Sequence, residues 1–455
     1  MDILRALSSS VVFWLAWIII PLIMEILPAL GNLFILIKKR YQKKKEVEVP
    51  EHFPQITLII PIYNSEATLR ACLASVNDSN YPNQMIEIML VNNQSRDGSF
   101  AIFNECQKEY DLSMQWLNAK QGKSKALNMA LFNATGKYII HIDSDGILHP
   151  DALFNMVKRF EQNPQIHCMT GSILVEPRLV EETPGFFMRL FRRCEFYEYC
   201  QAFLAGRNYE SELDSVFTLS GAFSAFRKST ILKTQLYNTD TVCEDTHVTF
   251  QVRKYLKQKI HLCENALFFV DPIDDFNKMY TQRQRWQRGE LEVYHIFLKE
   301  KMEMAKGFLS NFMIRLLVFD HTFAFPRMIW YFALVCLVFV NYPVSLVVGS
   351  MGITYFLYVG SNFLYYLSIL TYLQPYEEVR NYYRSKWYIC LLMPAYNFII
   401  FWIRFAGIIN SINNDSTWKT ANLTEEKQQL VAVLKKDFAT IGRIVEKIRK
   451  AISNE

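Results

Sequence analysis

Between about Pro54 and Leu298, short apolar runs alternate with segments of helical period. Ile56 to Pro61 (ITLIIP) is uninterrupted and apolar, the pattern of a buried strand. Asn64-Ser65-Glu66 follows, and then Leu69, Leu73 and Val76 at helical spacing, with Asn64 or Ser65 placed to cap that helix. Ile86 to Val91 predicts a second strand, ending in Asn92-Asn93. Phe100 to Tyr110 and Gly122 to Phe132 predict helices, and Lys137 to Ile142 (KYIIHI) predicts a further strand. Strands alternating with helices imply a parallel sheet covered on both faces. Such sheets bind ligands at the carboxyl ends of their strands, and the polar clusters fall at those ends.

The flanks are patterned differently. Val11 to Ile37 is apolar for long enough to cross a bilayer, which takes about 20 residues. It is too long for a signal peptide and has no clear small-residue cleavage site. Lys38, Lys39, Arg40, Lys43, Lys44 and Lys45 follow, so this helix is expected to run from the outside to the cytoplasm. Glu25, between Pro21 and Pro28, predicts a kinked helix whose acid meets an internal partner. Phe308 to Phe325 mixes apolar residues with Arg315, Asp320 and His321 and predicts an amphipathic helix in the interface. Met328 to Val348 and Gly352 to Leu373 predict spans, and Trp387 to Ile409, interrupted by Pro394 and Arg404, is a further apolar segment. The chain thus divides into a transmembrane helix with its basic flank (1–45), an α/β domain (46–300), an interfacial helix (301–326), transmembrane helices (327–410) and a charged helical tail (411–455).

Composition changes this picture little. The 51% of hydrophobic residues averages a mixed domain with apolar flanks, and the formal charge of +5 is small. No basic block with interleaved aromatics is present, which argues against nucleic acid as a partner. The nine cysteines are scattered without a CxxC spacing, which points to a reduced, cytoplasmic domain.

Three short motifs carry candidate chemistry. Asp143-Ser144-Asp145 follows the strand ending at Ile142, and two carboxylates one residue apart at a strand end can address one divalent cation. Alone, such a pair is equally an acidic turn. Cys243-Glu244-Asp245 offers a carboxylate able to take a proton from a hydroxyl, although an isolated Glu-Asp pair is usually a solvated surface. Gln282-Arg283-Gln284-Arg285-Trp286 joins amides, permanent cations and an indole. The arginine fork suits diphosphate oxygens and the indole offers a flat face to a sugar ring; a basic helix at a membrane surface has the same composition.

Their order, followed by apolar helices, resembles the processive branch of family 2 glycosyltransferases, which includes cellulose, chitin, hyaluronan and poly-N-acetylglucosamine synthases. An exosortase-associated bacterial subgroup of that branch is also similar. The resemblance includes IPIYNSEATLRACLASV, Gly122 to Asn128 and Ser220 to Arg227, and spans roughly Ile56 to Trp286. It implies an α/β GT-A nucleotide-diphospho-sugar transferase domain inserted between N- and C-terminal transmembrane α-helices. By position it implies Asp245 as catalytic base, and Asp145 with Asp143 as ligands of Mg²⁺ or Mn²⁺. Pro61, Tyr63, Asn64, Glu66, Asn92, Asn93, Lys123, Asp143 and Arg285 fall at the nucleotide donor, and Glu244, Gln282, Trp286 and Gly221 at the acceptor.

The implied activity is inverting transfer from a nucleotide diphosphate sugar, expected to be a UDP-sugar, to a growing polysaccharide coupled to export. The alternative is transfer of one sugar to a lipid carrier. Implied partners are the donor, a polysaccharide or lipid-linked acceptor, membrane lipids and small membrane subunits, with the protein multi-pass in the plasma membrane and its catalytic domain cytoplasmic. Two positions depart from the common pattern. Asn92-Asn93 stands where relatives often carry two aspartates, one of which reads the base, and Cys243 stands where threonine is frequent. An amide still accepts from a uracil imide but loses the preference given by charge.

Overall fold

In the computed structural model of the chain, residues 18–19, 22–41, 52–241, 243–298 and 333–413 are described. The segments at Phe308–Phe325 and after residue 413, expected to be an interfacial helix and a charged tail, lie outside the described residues. The strands of the α/β region are β1 (Ile56–Ile62), β2 (Ile86–Asn92), β3 (Ser113–Asn118), β4 (Tyr138–Ile142), β5 (Gly146–Leu148), β6 (Cys168–Val175), β7 (Phe223–Arg227) and β8 (Ile260–Val270). They form one sheet in the order β3-β2-β1-β4-β7-β6-β8-β5.

Every residue of β1 is buried, and successive side chains enter opposite layers. Leu58, Ile60 and Ile62 join the apolar cluster on one face, while Ile59 joins Met89, Val91 and Ile139 on the other. The helices α1 (Leu27–Tyr41), α2 (Leu69–Asn77), α3 (Ser99–Glu109), α4 (Lys123–Asn133), α5 (Ala152–Gln162), α6 (Phe186–Tyr199) and α7 (Glu244–Lys254) follow in chain order. Leu69, Leu73 and Val76 of α2 and Leu153, Met156 and Phe160 of α5 cover the first face; Ala126, Leu127 and Ala130 of α4 with Val248 and Val252 of α7 cover the second. Each fully buried aliphatic side chain contributes roughly 1.5–3 kcal/mol, so this two-sided burial holds β1, β2 and β4 as internal strands of the sheet.

Two local expectations are corrected. The sheet is mixed rather than parallel. β1, β2, β3 and β4 run parallel, but β7 pairs antiparallel with both β4 and β6, and β5 pairs antiparallel with β8. Apolar runs alone do not encode strand direction. Nor does Asn64 or Ser65 cap α2: the N-cap position is Thr68, without a side-chain bond. The Ser65 carbonyl accepts from the Thr68 and Leu69 amides, which leaves its hydroxyl for Ser144 at 2.7 Å.

The remaining helices are α8 (Phe276–Leu298), α9 (Val344–Tyr372), α10 (Glu377–Ser385) and α11 (Ile389–Asn413). The structure divides the apolar C-terminal stretch at Asn341–Pro343 rather than near Gly352. Asn341 takes a left-handed conformation (φ 61°) and Pro343 occupies the N-cap of α9, at a helix start where a missing N–H costs nothing. At 29 residues, α9 is long and apolar enough to cross a membrane; among the described residues α10 and α11, bent by 83° against each other, reach that criterion only together. Glu25 is buried against α9, where its backbone carbonyl accepts from Ser361 Oγ at 3.3 Å, and Tyr372 donates to Asn32 Oδ1 at 3.1 Å.

Candidate active site

The turn after β4 is the centre of the site. The Asp143 amide donates to the Ala222 carbonyl at 3.1 Å, an extension of the antiparallel β4–β7 ladder in which Ile142 faces Phe223. This pairing brings Gly221 and Ala222 against Asp143-Ser144-Asp145. Lys123 then closes the cluster: its Nζ donates to Asp143 Oδ1 and to the Gly221 carbonyl (3.1 Å), and lies 3.8 Å from Glu244 Oε1. Burial works against a charge on Asp143, but the adjacent Lys123 and His141 together outweigh it and hold the carboxyl well below the usual carboxylate range. On Asp145 the pull of Lys123 is weaker than the opposing effects. Burial, reinforced by the Asp143 charge, pushes its carboxyl up to about 6. Burial likewise raises Glu244, against the pull of Lys123.

Glu244 and Asp245 occupy the first turn of α7, where carboxylates complement the helix dipole. Asp245 Oδ1 accepts from the Thr246 amide at 2.7 Å, leaving Oδ2 toward Gly221, where an added Cβ would approach it to 2.9 Å. α8 seats close to the start of α7: a Cβ on Gly289 would meet Cys243 Sγ at 2.1 Å, so a glycine is required at that approach. On α8, Gln282 Oε1 is buried and has no hydrogen-bond partner among the described residues, Arg285 is exposed and Trp286 is half-buried.

These groups share one cavity of about 310 Å³, lined by Lys123, Asp143 and Asp145 at the sheet, Gly221, Glu244 and Asp245 beside them, and Gln282, Arg285 and Trp286 on α8. The other expected donor residues sit at the ends of β1 and β2 and do not line it. There they bond to neighbouring loop residues. Asn64, at φ 51°, accepts at Oδ1 from the Arg96 amide (2.9 Å), and Glu66 Oε2 accepts from the Gly98 amide (2.9 Å). Pro61 is buried in β1 and Tyr63 is exposed.

The two asparagines are also engaged. Asn92 donates from Nδ2 to Asn118 Oδ1 at 3.0 Å and accepts at Oδ1 from the Ser95 amide at 2.8 Å. Asn93 Oδ1 accepts from the Gly122 amide at 2.6 Å. That bond fixes Gly122 at φ 131°, a conformation other residues rarely adopt, and so sets where Lys123 starts α4. Each amide oxygen already holds one donor and, with two lone pairs, can accept a second.

The cavity also includes residues that the sequence reading passed over: Asp271, Glu198, Tyr199, Phe203 and Arg404. Asp271 follows the apolar end of β8 much as Asp143 follows β4, a signal open to discovery. Glu198 and Arg404 had no such signal, since they come from helices brought together only by folding.

A mixed sheet with an acidic turn at a central strand end, a facing acidic helix start and an Arg-Trp helix is the arrangement of a GT-A-like transferase domain. Residues 57–231 match the profile of Glycosyl transferase family 2, and the chain therefore carries a family 2 glycosyltransferase domain and is related to polysaccharide synthases. It is 25% identical over 276 residues to the poly-beta-1,6-N-acetyl-D-glucosamine synthase of Staphylococcus epidermidis, an alignment covering 60% of this chain and 64% of that protein. To the synthase of the same name from Staphylococcus aureus it is 25% identical over 279 residues, with the same coverage. The match thus spans a little under two thirds of these relatives' length. In fold it is similar to a mannosyltransferase of Pyrobaculum calidifontis solved with GDP-mannose and Mn²⁺, with a TM-score of 0.56, 18% identity, and coverage of 84% of this chain and 94% of that one.

Proposed function

We propose that the protein transfers a sugar, with inversion, from a UDP-sugar to the end of a growing polysaccharide at the cytoplasmic face of a membrane, and passes the product toward export. The observation that carries this reading is the convergence of Asp143, Asp145, Asp245 and Trp286 on one cavity at the carboxyl end of β4. Asp245 takes the proton of the acceptor hydroxyl as that oxygen attacks the anomeric carbon, and the bond to the diphosphate oxygen breaks on the opposite side. Trp286 supports the terminal sugar ring of the acceptor, and Gln282 and Arg285 hold the diphosphate and the acceptor terminus.

A divalent cation fits the donor set. Asp143 and Asp145 face an open cavity, and among the described residues no group of three or more Asp, Glu, His or Cys forms a protein-only cage. Mg²⁺ and Mn²⁺ keep positions for water and phosphate oxygens, so Asp145, with Asp143 near it, would hold an ion that neutralises charge developing on the leaving diphosphate. Lys123 has a different role: it keeps Asp143 ionised and fixes its direction. The apolar helix α9 and the basic residues 38–45 support a membrane position with the domain on the cytoplasmic side.

The test is a donor screen on the purified protein, reading nucleoside diphosphate release and the size of product made from labelled sugar. Polymer from a UDP-sugar is expected. A single lipid-linked sugar would replace polymerisation by the carrier reading, and no release from any nucleotide sugar would overturn the assignment.

A further inference from the structure

Arg283 falls between the two arginine-tryptophan motif positions already considered, and its side chain is 1% exposed, the largest of the fully buried ones among the described residues. A buried guanidinium is tolerated only when paired. Its partner is Glu198 of α6, at 2.6 Å from Nη2. The same carboxylate oxygen accepts from Tyr396 Oη at 2.7 Å, and its other oxygen lies 3.5 Å from Arg404 Nη2. Tyr396 and Arg404 belong to α11, so three helices meet at one carboxylate. On the other side, the Arg283 guanidinium lies 4.4 Å from the centroid of Trp286 and 5.6 Å from that of Tyr199. Positions 283 and 286 are three apart on α8 and therefore share a face. Phe203 meets Trp286 edge-on at 6.1 Å. The indole is thus held between an aromatic edge and a cation whose position depends on Glu198 and, through it, on α11.

We infer that Glu198 and Tyr396 are positioning residues that set the face of Trp286 through Arg283, coupling the apolar helix α11 to the acceptor side of the cavity. The inference rests on the reading of Trp286 as the acceptor platform. Arg283 touches both the carboxylate and the indole, so loosening Glu198 moves the cation and thereby the ring. Movement of α11 is transmitted along the same contacts, which links the state of the helix bundle to acceptor binding.

The test uses the full chain in detergent and the conservative variant Tyr396→Phe, which keeps the ring and loses one hydroxyl, alongside Glu198→Gln. The first arm needs no ligand. The emission of Trp286, taken as wild type minus Trp286→Phe, is compared in the presence and absence of Tyr396→Phe. A shift or change of intensity is expected, and an unchanged difference spectrum would overturn the coupling. The second arm measures transfer from UDP-N-acetylglucosamine to a short N-acetylglucosamine oligosaccharide. Tyr396→Phe and Glu198→Gln are expected to raise the acceptor KM by on the order of tenfold, as for a site held too loosely, with the donor KM within about twofold. In a Trp286→Ala background, Tyr396→Phe should add nothing further. A full, additive effect in that background would place Tyr396 in overall stability and overturn the inference. If Trp286→Ala alone leaves the acceptor KM unchanged, the acceptor reading itself fails, and if no transfer occurs the choice of donor fails, while the first arm still decides the coupling.

Discussion

Replacing Gly221 by alanine tests the position of the proposed base without touching the base. The new Cβ would lie 2.9 Å from Asp245 Oδ2 and 3.4 Å from its Cγ. Ordinary contact begins near 3.4 Å, so the oxygen must retreat by 3.4 − 2.9 = 0.5 Å. It cannot simply swing away, because Oδ1 is held by the Thr246 amide at 2.7 Å. A full ångström of misplacement costs about 10²-fold in rate; half of that on a logarithmic scale is roughly tenfold, or about 1.4 kcal/mol of barrier. Gly221 is not in the left-handed region, so alanine adds no backbone strain, and the change in folding stability should stay within about 1 kcal/mol. The assay is single-turnover transfer from a radiolabelled donor by the purified variant, with donor affinity measured by titration and folding by thermal unfolding. The expected result is slower transfer with donor affinity and unfolding midpoint unchanged. Wild-type transfer by a folded Gly221→Ala would refute the placement of the reacting hydroxyl at Asp245 Oδ2.

Four further outcomes are expected. Asp245→Asn should lower turnover by about 10²-fold or more while donor titration is unchanged; a parallel loss of donor affinity would make the residue a ligand rather than a base. Asp145→Asn, or excess chelator on the wild type, should abolish transfer with little change in thermal unfolding, and full activity in chelator would remove the cation from the reaction. Asn93→Asp should alter the ranking of nucleotide donors in the release assay, whereas Asn92→Asp, which places a carboxylate oxygen against Asn118 Oδ1, should chiefly lower the unfolding midpoint; identical donor rankings in both variants would move base reading elsewhere. Glu181 provides a pH test. Hydrogen bonds from Arg193, with Tyr382 and Lys386 adding to them against burial, lower its carboxyl from 4.5 to about 2. The folded-state value is depressed, so its contribution is present above about pH 4.5 and is lost as pH falls toward 2. Glu181→Gln should flatten the pH dependence of the unfolding midpoint in that window, and an unchanged slope would show the ion cluster to be energetically silent.

Much of the fold was legible because its signals are local. The strands at Ile56, Ile86 and Tyr138 and the helices at Leu69, Ser99 and Lys123 begin within a residue or so of the positions that apolar runs and helical spacing indicate. The acidic turn and the Arg-Trp helix are likewise contiguous in sequence, so Asp143, Asp145, Glu244, Asp245, Gln282, Arg285 and Trp286 of the cavity lining are legible as motifs. What the chain alone left open depends on contacts between distant segments. β7 runs antiparallel to β4, and that direction, rather than any motif, delivers the Gly221 carbonyl to Lys123 and the Gly221 Cα to Asp245. The sequence does not show that Asn92 and Asn93 take Ser95, Asn118 and Gly122 as partners. Arg283 read as one more cation of a basic helix, yet burial between α6 and α11 forces it onto Glu198 and against Trp286. The physical reason is the same in each case: periodicity and backbone preference act over a few residues, whereas strand direction, satisfaction of polar atoms and pairing of a buried charge are settled by which surfaces meet.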